Sequence, residues 1–189
     1  MKYLYNVIFI VSVSLLTACG GNQYSEEEQK ILLEAQQSHF KAIDAFGDSF
    51  DQLNIITALE DSIQTKITGF ANQESYPENN DNGLQALQAA KEQLTEAKNN
   101  LLSWSNDVYA LPETTSAYED NAMDDNSAIG KNEANNLIRS NIKFKDVPAN
   151  TSPAEILSMQ EEQLNRITTI QQQIQASIEN ANRILAENL

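Results

Sequence analysis

Basic residues, glycine, proline and cysteine are all scarce in this 189-residue chain, and each scarcity narrows what the chain can be. One cysteine, Cys19, allows no disulfide framework within the chain. Four prolines and six glycines, set against abundant Asn, Gln, Glu, Ala, Leu and Ile, leave a helix-bundle composition. Lys and Arg number 12 against 27 Asp and Glu, a net charge of −15. Such a surface repels phosphate backbones and anionic head groups, so no nucleic-acid partner is expected. The apolar stretch Leu4 to Leu16 is shorter than the roughly 20 residues needed to span a hydrocarbon core. No Gly-x-Ser-x-Gly elbow, glycine-rich phosphate loop or paired-carboxylate cleft can be placed, so no enzyme and no cofactor is expected.

What is present begins with an address. Lys2 precedes the apolar stretch, which ends in Leu16-Thr17-Ala18-Cys19 and then Gly20-Gly21. That is the layout of a removed signal peptide, residues 1–18. The four residues resemble the lipobox of bacterial lipoproteins, in which a thiol takes up diacylglycerol before the chain is cut in front of it. Small residues at the cut admit the extended backbone to a narrow cleft, and the Cys19 thiolate is the attacking group. A lipoprotein carries two or three acyl chains at about 0.8 kcal/mol per buried CH₂, so Cys19 would give a stable membrane anchor. Gly20 stands where an Asp would retain the protein in an inner membrane, and that sorting rule implies the outer membrane of a bacterial cell envelope. Residues 19–24 then form a lipidated tether, and removal of Lys2 makes the remainder more acidic still.

Residues 25–189 are long enough for one helical domain with a real core. Ser25-Glu26-Glu27-Glu28 has the form of a capping box, with three acids at the positive end of a helix. From it Leu32, Ala35, His39, Ala42/Ile43, Phe46, Phe50, Leu53, Ile56, Leu59, Ile63, Ile67 and Phe70 recur in steps of three or four. The stripe keeps its phase through Gly47, which predicts one helix of about 45 residues and 65–70 Å; a kink at Gly47 would give four helices instead of three. Tyr76 to Gly83 reads as a turn. Leu84, Leu87, Ala90, Leu94, Ala97, Leu101, Trp104, Val108 and Leu111 follow as a heptad seam closed by Pro112. The third start is Ser152 as N-cap, Pro153 at the first helical position and Glu155 at the third. Leu157, Leu164, Ile167, Ile170, Ile174, Ile178, Ala181 and Ile184/Leu185 form its apolar face. The expected fold is all-α: an elongated antiparallel bundle of three long helices, with a flexible acidic connection at about 112–151 holding a short helix near Ala134 to Ser140. Stripes of this length close within one chain or between chains, so the oligomeric state stays open.

His39, the only histidine, lies on the inward stripe, where a buried polar contact is the expected role and a ligand contact the alternative. Metal binding would need partners such as Glu-x-x-His pairs on facing helices; Glu34 points elsewhere, and no metal site is assigned. Haem held by His39 with Met159 or Met123 is the remaining cofactor option and is not favoured. Glu78-Asn79-Asn80-Asp81-Asn82-Gly83 imitates the front of a calcium loop, but its twelfth position is Ala89 where a bidentate Glu is required. Glu119, Asp120, Asp124 and Asp125 form an acidic cluster of the kind that loops solvate. Trp104, on the seam between Leu101 and Val108, is expected in the core.

Three patches carry a family likeness. His39 is followed by Gly47 and Asp48; Ala97 precedes Leu101-Leu102-Ser103-Trp104; and Ile174-Gln175-Ala176-Ser177-Ile178 leads to Ala181. Together they resemble small helical lipid-anchored proteins of Bacteroidota often labelled viral A-type inclusion protein, whose patterns are His-Asp-x-x-Met-x-x-Met-Gly-Glu, Ala…Met-Met-Asp-Trp-Met and a similar last helix. Phe40 stands in place of the Asp after the histidine, and Ile43, Phe46, Leu101 and Leu102 in place of methionines. The resemblance implies a helical-bundle lipoprotein whose function is unestablished. The expectation for function is a membrane-anchored envelope protein, structural or bound to another envelope protein. The alternatives are a small-ligand or metal-binding bundle and a holdase-like envelope chaperone.

Overall fold

The computed structural model describes residues 24–71, 81–111 and 140–187. Among the described residues are four helices and one short strand pair: α1 (Glu26–Asp51), α2 (Leu53–Ala71), α3 (Asp81–Ser105), β1 (Val108–Tyr109), β2 (Phe144–Lys145) and α4 (Pro153–Glu187). α1 and α2 together are the long first rod. Its interruption falls at Gln52, not at Gly47, which is buried within α1. Gln52 keeps right-handed helical angles, and its amide bonds the Ser49 carbonyl at 3.1 Å, one residue short of the regular reach. One tightened turn of this kind offsets the rod without dephasing the stripe, so Ile56 and Ile63 continue the buried face of Ala42 and Phe46.

The predicted capping box at Ser25 is formed, and the predicted N-cap at Ser152 makes a second one. Ser25 accepts from the Glu28 amide while Glu28 reaches back to the Ser25 amide at 2.8 Å, and Ser152 and Glu155 repeat the arrangement. Each carboxylate is lowered from its ordinary pKa, first by the backbone hydrogen bond and then by the seryl hydroxyl. Ahead of Ser152, Asn150 takes a positive φ of 65°, which the short amide side chain tolerates, and Thr151 folds back on the Pro148 carbonyl.

The rods run up, down and up. Glu60 meets Thr95 and Lys98, whereas Gln64 meets Lys91, so α2 and α3 are antiparallel. Trp104 meets Gln163, Asn100 meets Gln173 and Gln93 meets Asn180, so α3 and α4 are antiparallel too. The first and last rods are therefore parallel: Leu32 and Ala35 share a cluster with Ile156, and His39 pairs with Gln160. A main core of Ala42, Phe46, Ile63, Leu94, Trp104, Ile174 and their neighbours fills the three-helix part. A smaller cluster with Tyr24, Val147 and Leu157 seals the end where α1 and α4 begin.

α3 ends earlier than its stripe predicts. The Ser105 hydroxyl and the Asn106 side-chain Nδ2 both donate to the Leu102 carbonyl, and the backbone amides of Asn106 and Asp107 reach back only three residues. Val108 stays buried, but as a strand residue in parallel register with Phe144, and Tyr109 pairs with Lys145. The Lys143 amide bonds the Ser105 carbonyl and the Ala110 amide bonds the Lys145 carbonyl, each at 2.8 Å. Within the expected loop up to residue 151, the described part from Ser140 onward is held by this crossing and by Ile142 in the core, with most of its other residues exposed.

Candidate functional site

His39 is placed by α1 on the face that meets the start of α4, at the level where α3 has ended. It is 7% exposed, and its Nδ1 lies 3.0 Å from Oε1 of Gln160, which is wholly buried. Gln160 Nε2 donates to the Tyr109 carbonyl at 3.2 Å. That bond fixes the amide's orientation, so Oε1 is the atom facing the imidazole and Nδ1 carries the proton it donates. Phe144 of β2 lies over the ring at 5.7 Å between centroids and Phe40 meets it edge-on at 6.0 Å. The chain of bonds thereby ties α1, α4 and β1 together at one level.

Gln163, one turn further along α4, extends this polar layer. Its backbone carbonyl accepts the Trp104 indole N–H at 3.1 Å, and Trp104 stacks on Phe46 at 5.4 Å. Its side chain is 3% exposed, and Oε1 has no hydrogen-bond partner. Gln36, one turn before His39, is buried as well. None of the three glutamines stood out in the sequence. The usable signal was spacing: stepping back from Ile167 by four, three and four reaches Gln163, Gln160 and Ile156, all buried. Leu157 and Leu164, the residues expected on that face, are only half-buried.

What the layer shows is a run of hydrogen bonds from an imidazole through an amide to a backbone carbonyl. Among the described residues no three His, Cys, Asp or Glu side chains are grouped so as to hold a metal ion. Met159 lines a shallow depression of about 500 Å³ with Pro148, Asn150 and Glu155, a set that does not include His39.

Charge is concentrated in two other places. Asp107 receives Lys145 and, at 2.8 Å, Arg166, which pins the strand crossing to α4. The bond from Lys145, then that from Arg166, holds the Asp107 carboxyl below its ordinary pKa, and Lys145 is raised in return. On α2, burial pushes the Glu60 carboxyl up, but the bonds from Lys98 and Thr95 outweigh it and the pKa falls below the usual value. An open groove of about 730 Å³ runs between α3 and α4, lined by Asn100, Ser103, Glu161, Asn165 and Gln173.

Several sequence-predicted features lie outside the described residues: Cys19 and the signal segment, the turn at 76–80, Met123, the acidic cluster Glu119, Asp120, Asp124 and Asp125, and the short helix near Ala134 to Ser140 apart from Ser140 itself, which is in a turn. Asp81, Asn82 and Gly83, read as turn, form the first turn of α3. Of the positions where the resembled family carries methionine, Ile43, Phe46 and Leu101 are buried and Leu102 is 42% exposed. No described helix is long and apolar enough to cross a membrane. Comparison with family models, with curated proteins and with solved structures found no match.

Proposed function

We propose that this chain is a bacterial envelope lipoprotein, anchored through lipid on Cys19, whose helical bundle has a non-enzymatic structural or protein-binding role. One observation carries the reading: the chain's single cysteine closes a lipobox-like Leu16-Thr17-Ala18-Cys19 at the end of the apolar stretch. The capped start of α1 at Glu26 follows a tether of only a few residues, which would hold the bundle close to the bilayer. The likeness to the helical lipoproteins of Bacteroidota supports the same reading, as does the absence of any catalytic motif from the sequence. Outer-membrane placement follows from Gly20 behind the cysteine.

The small-ligand or metal alternative has less behind it, because among the described residues no three His, Cys, Asp or Glu side chains are grouped to hold an ion. A holdase would need a continuous apolar groove. The large exposed apolar residues among those described, Leu33, Ile55, Leu102 and Phe144, are distributed over α1, α2, α3 and β2.

The test is metabolic labelling with an alkyne fatty acid, followed by membrane fractionation and in vivo crosslinking. The wild-type chain is expected to carry label, sediment with membranes and crosslink to an envelope protein. Cys19→Ala should lose all three. Label that persists in Cys19→Ala, or an unlabelled wild-type chain in the soluble fraction, would overturn the reading.

A further inference from the structure

All the buried positions of α4 but Ile178 fall into two heptad series, Pro153, Gln160, Ile167, Ile174, Ala181 and Ile156, Gln163, Ile170, Ser177, Ile184. The first rod answers with Leu32, His39, Phe46 and with Ala35, Ala42, Ser49, Ile56, Ile63. A shift of α4 by seven residues along the rod would bring apolar side chains back against apolar side chains. Burial alone therefore separates these registers weakly. The strand crossing ties α4 to the end of α3 through the Asp107–Arg166 pair, but both partners of that pair are more than a third exposed, and ion pairs so exposed hold a register weakly.

The polar positions are not equivalent under that shift. A slide of one heptad in either direction would set His39 opposite Pro153 or Ile167, neither of which has a side-chain acceptor for Nδ1–H. It would also carry the Gln160 amide away from the Tyr109 carbonyl. A buried polar group left without its partner costs about 1–3 kcal/mol, and two would be orphaned at once. We propose that the chain His39 Nδ1, Gln160, Tyr109 carbonyl is a register key: it fixes where α4 stops along the α1–α2 rod. Single polar side chains at core heptad positions set register in this way elsewhere, at a cost in stability. The orphaned Oε1 of Gln163 shows that this layer is not optimised for stability. The inference is independent of lipid anchoring.

The experiment measures register directly. In the full chain with Cys19→Ala, nitroxides are placed on two exposed sites, Asp61→Cys on α2 and Glu161→Cys on α4, and their separation is read by pulsed dipolar electron resonance. The native register puts these sites about 30 Å apart along the axis, and a heptad slip changes that by about 10 Å. The native sequence is expected to give one distance. His39→Leu with Gln160→Leu is expected to keep its far-ultraviolet helical signal and split into populations about 10 Å apart. Gln163→Leu, which removes the unpartnered acceptor and leaves the key intact, should keep the single native distance. A single native distance in the double variant would overturn the proposal, as would splitting in Gln163→Leu. Loss of helical signal in the double variant would also overturn it, because the pair would then supply stability and not register.

Discussion

Truncating Trp104 to alanine should be the most damaging single change in the three-helix part of the bundle. Its side chain is fully buried, stacks on Phe46 and donates its indole N–H to the Gln163 carbonyl, so three elements meet on it. Removal of a buried aromatic costs about 3–5 kcal/mol in transfer and cavity terms. The hydrogen bond contributes about 1 kcal/mol net, and Gln163's carbonyl sits in a helix, so it keeps its ladder bond. A loss of about 4–5 kcal/mol approaches the whole stability of a marginal domain. With a urea dependence of about 2 kcal/mol/M, the unfolding midpoint of Trp104→Ala should fall by about 2 M. Circular dichroism follows the variant; in the parent chain Trp104, the only tryptophan, reports the same transition by fluorescence. Leu102→Ala is the matched control, two residues away on α3 but 42% exposed, and should change stability by less than about 0.5 kcal/mol. A midpoint shift below about 0.5 M for Trp104→Ala, or equal shifts for the two variants, would refute the packing described.

Other outcomes follow from single interactions. Gly69→Ala should stabilise α2 by about 0.5–1 kcal/mol in thermal unfolding, since the residue is helical and a Cβ there would meet nothing within 4 Å. Ser152→Ala breaks the capping box that opens α4 and should cost about 1 kcal/mol in the same assay, with Ser152→Gly costing less. Asp107→Asn should speed hydrogen exchange at the Ala110 and Lys143 amides, which close the strand crossing, while amides in the middle of α4 keep their protection. Because the folded-state pKa of Asp107 is lowered, its contribution is complete above the ordinary aspartate value near 4 and is lost as pH falls through the folded value. Acid titration of the wild type should therefore reproduce the faster exchange of Asp107→Asn at those two amides.

The bundle was legible where local rules and the core demand the same residues. Ser25 and Ser152 announce their helices because a capping box needs only residues three apart. The long stripe survives because both α1 and α2 bury the same rod face. Gln52 left no mark, since it is a good helix former and the tightened turn keeps the phase. The end of α3 is not where its stripe predicts because Val108 falls at heptad spacing and joins the core, yet it does so as a strand residue whose backbone partner, Phe144, lies far along the chain. No local pattern encodes such a partner. Of the polar layer, His39 was visible as the sole histidine on an apolar face. Gln160 and Gln163 were hidden because glutamine ordinarily marks a solvated face, and only a phase carried back from Ile167 through an apparently polar stretch would have found them.

α1 and α4 set out from the same end of the molecule and rise side by side, so their long seam also has a mechanical meaning. A pull applied between residue 24 and the far end of α4 loads that seam along its length instead of prising it open from one tip. In such a shear geometry the apolar contacts and the His39–Gln160 bond share the force at once, whereas in a peeled hairpin each rung takes it alone. Among the described residues only α1, α4 and the small strand crossing occupy the level beyond the end of α3, and that is where the seam is expected to yield first.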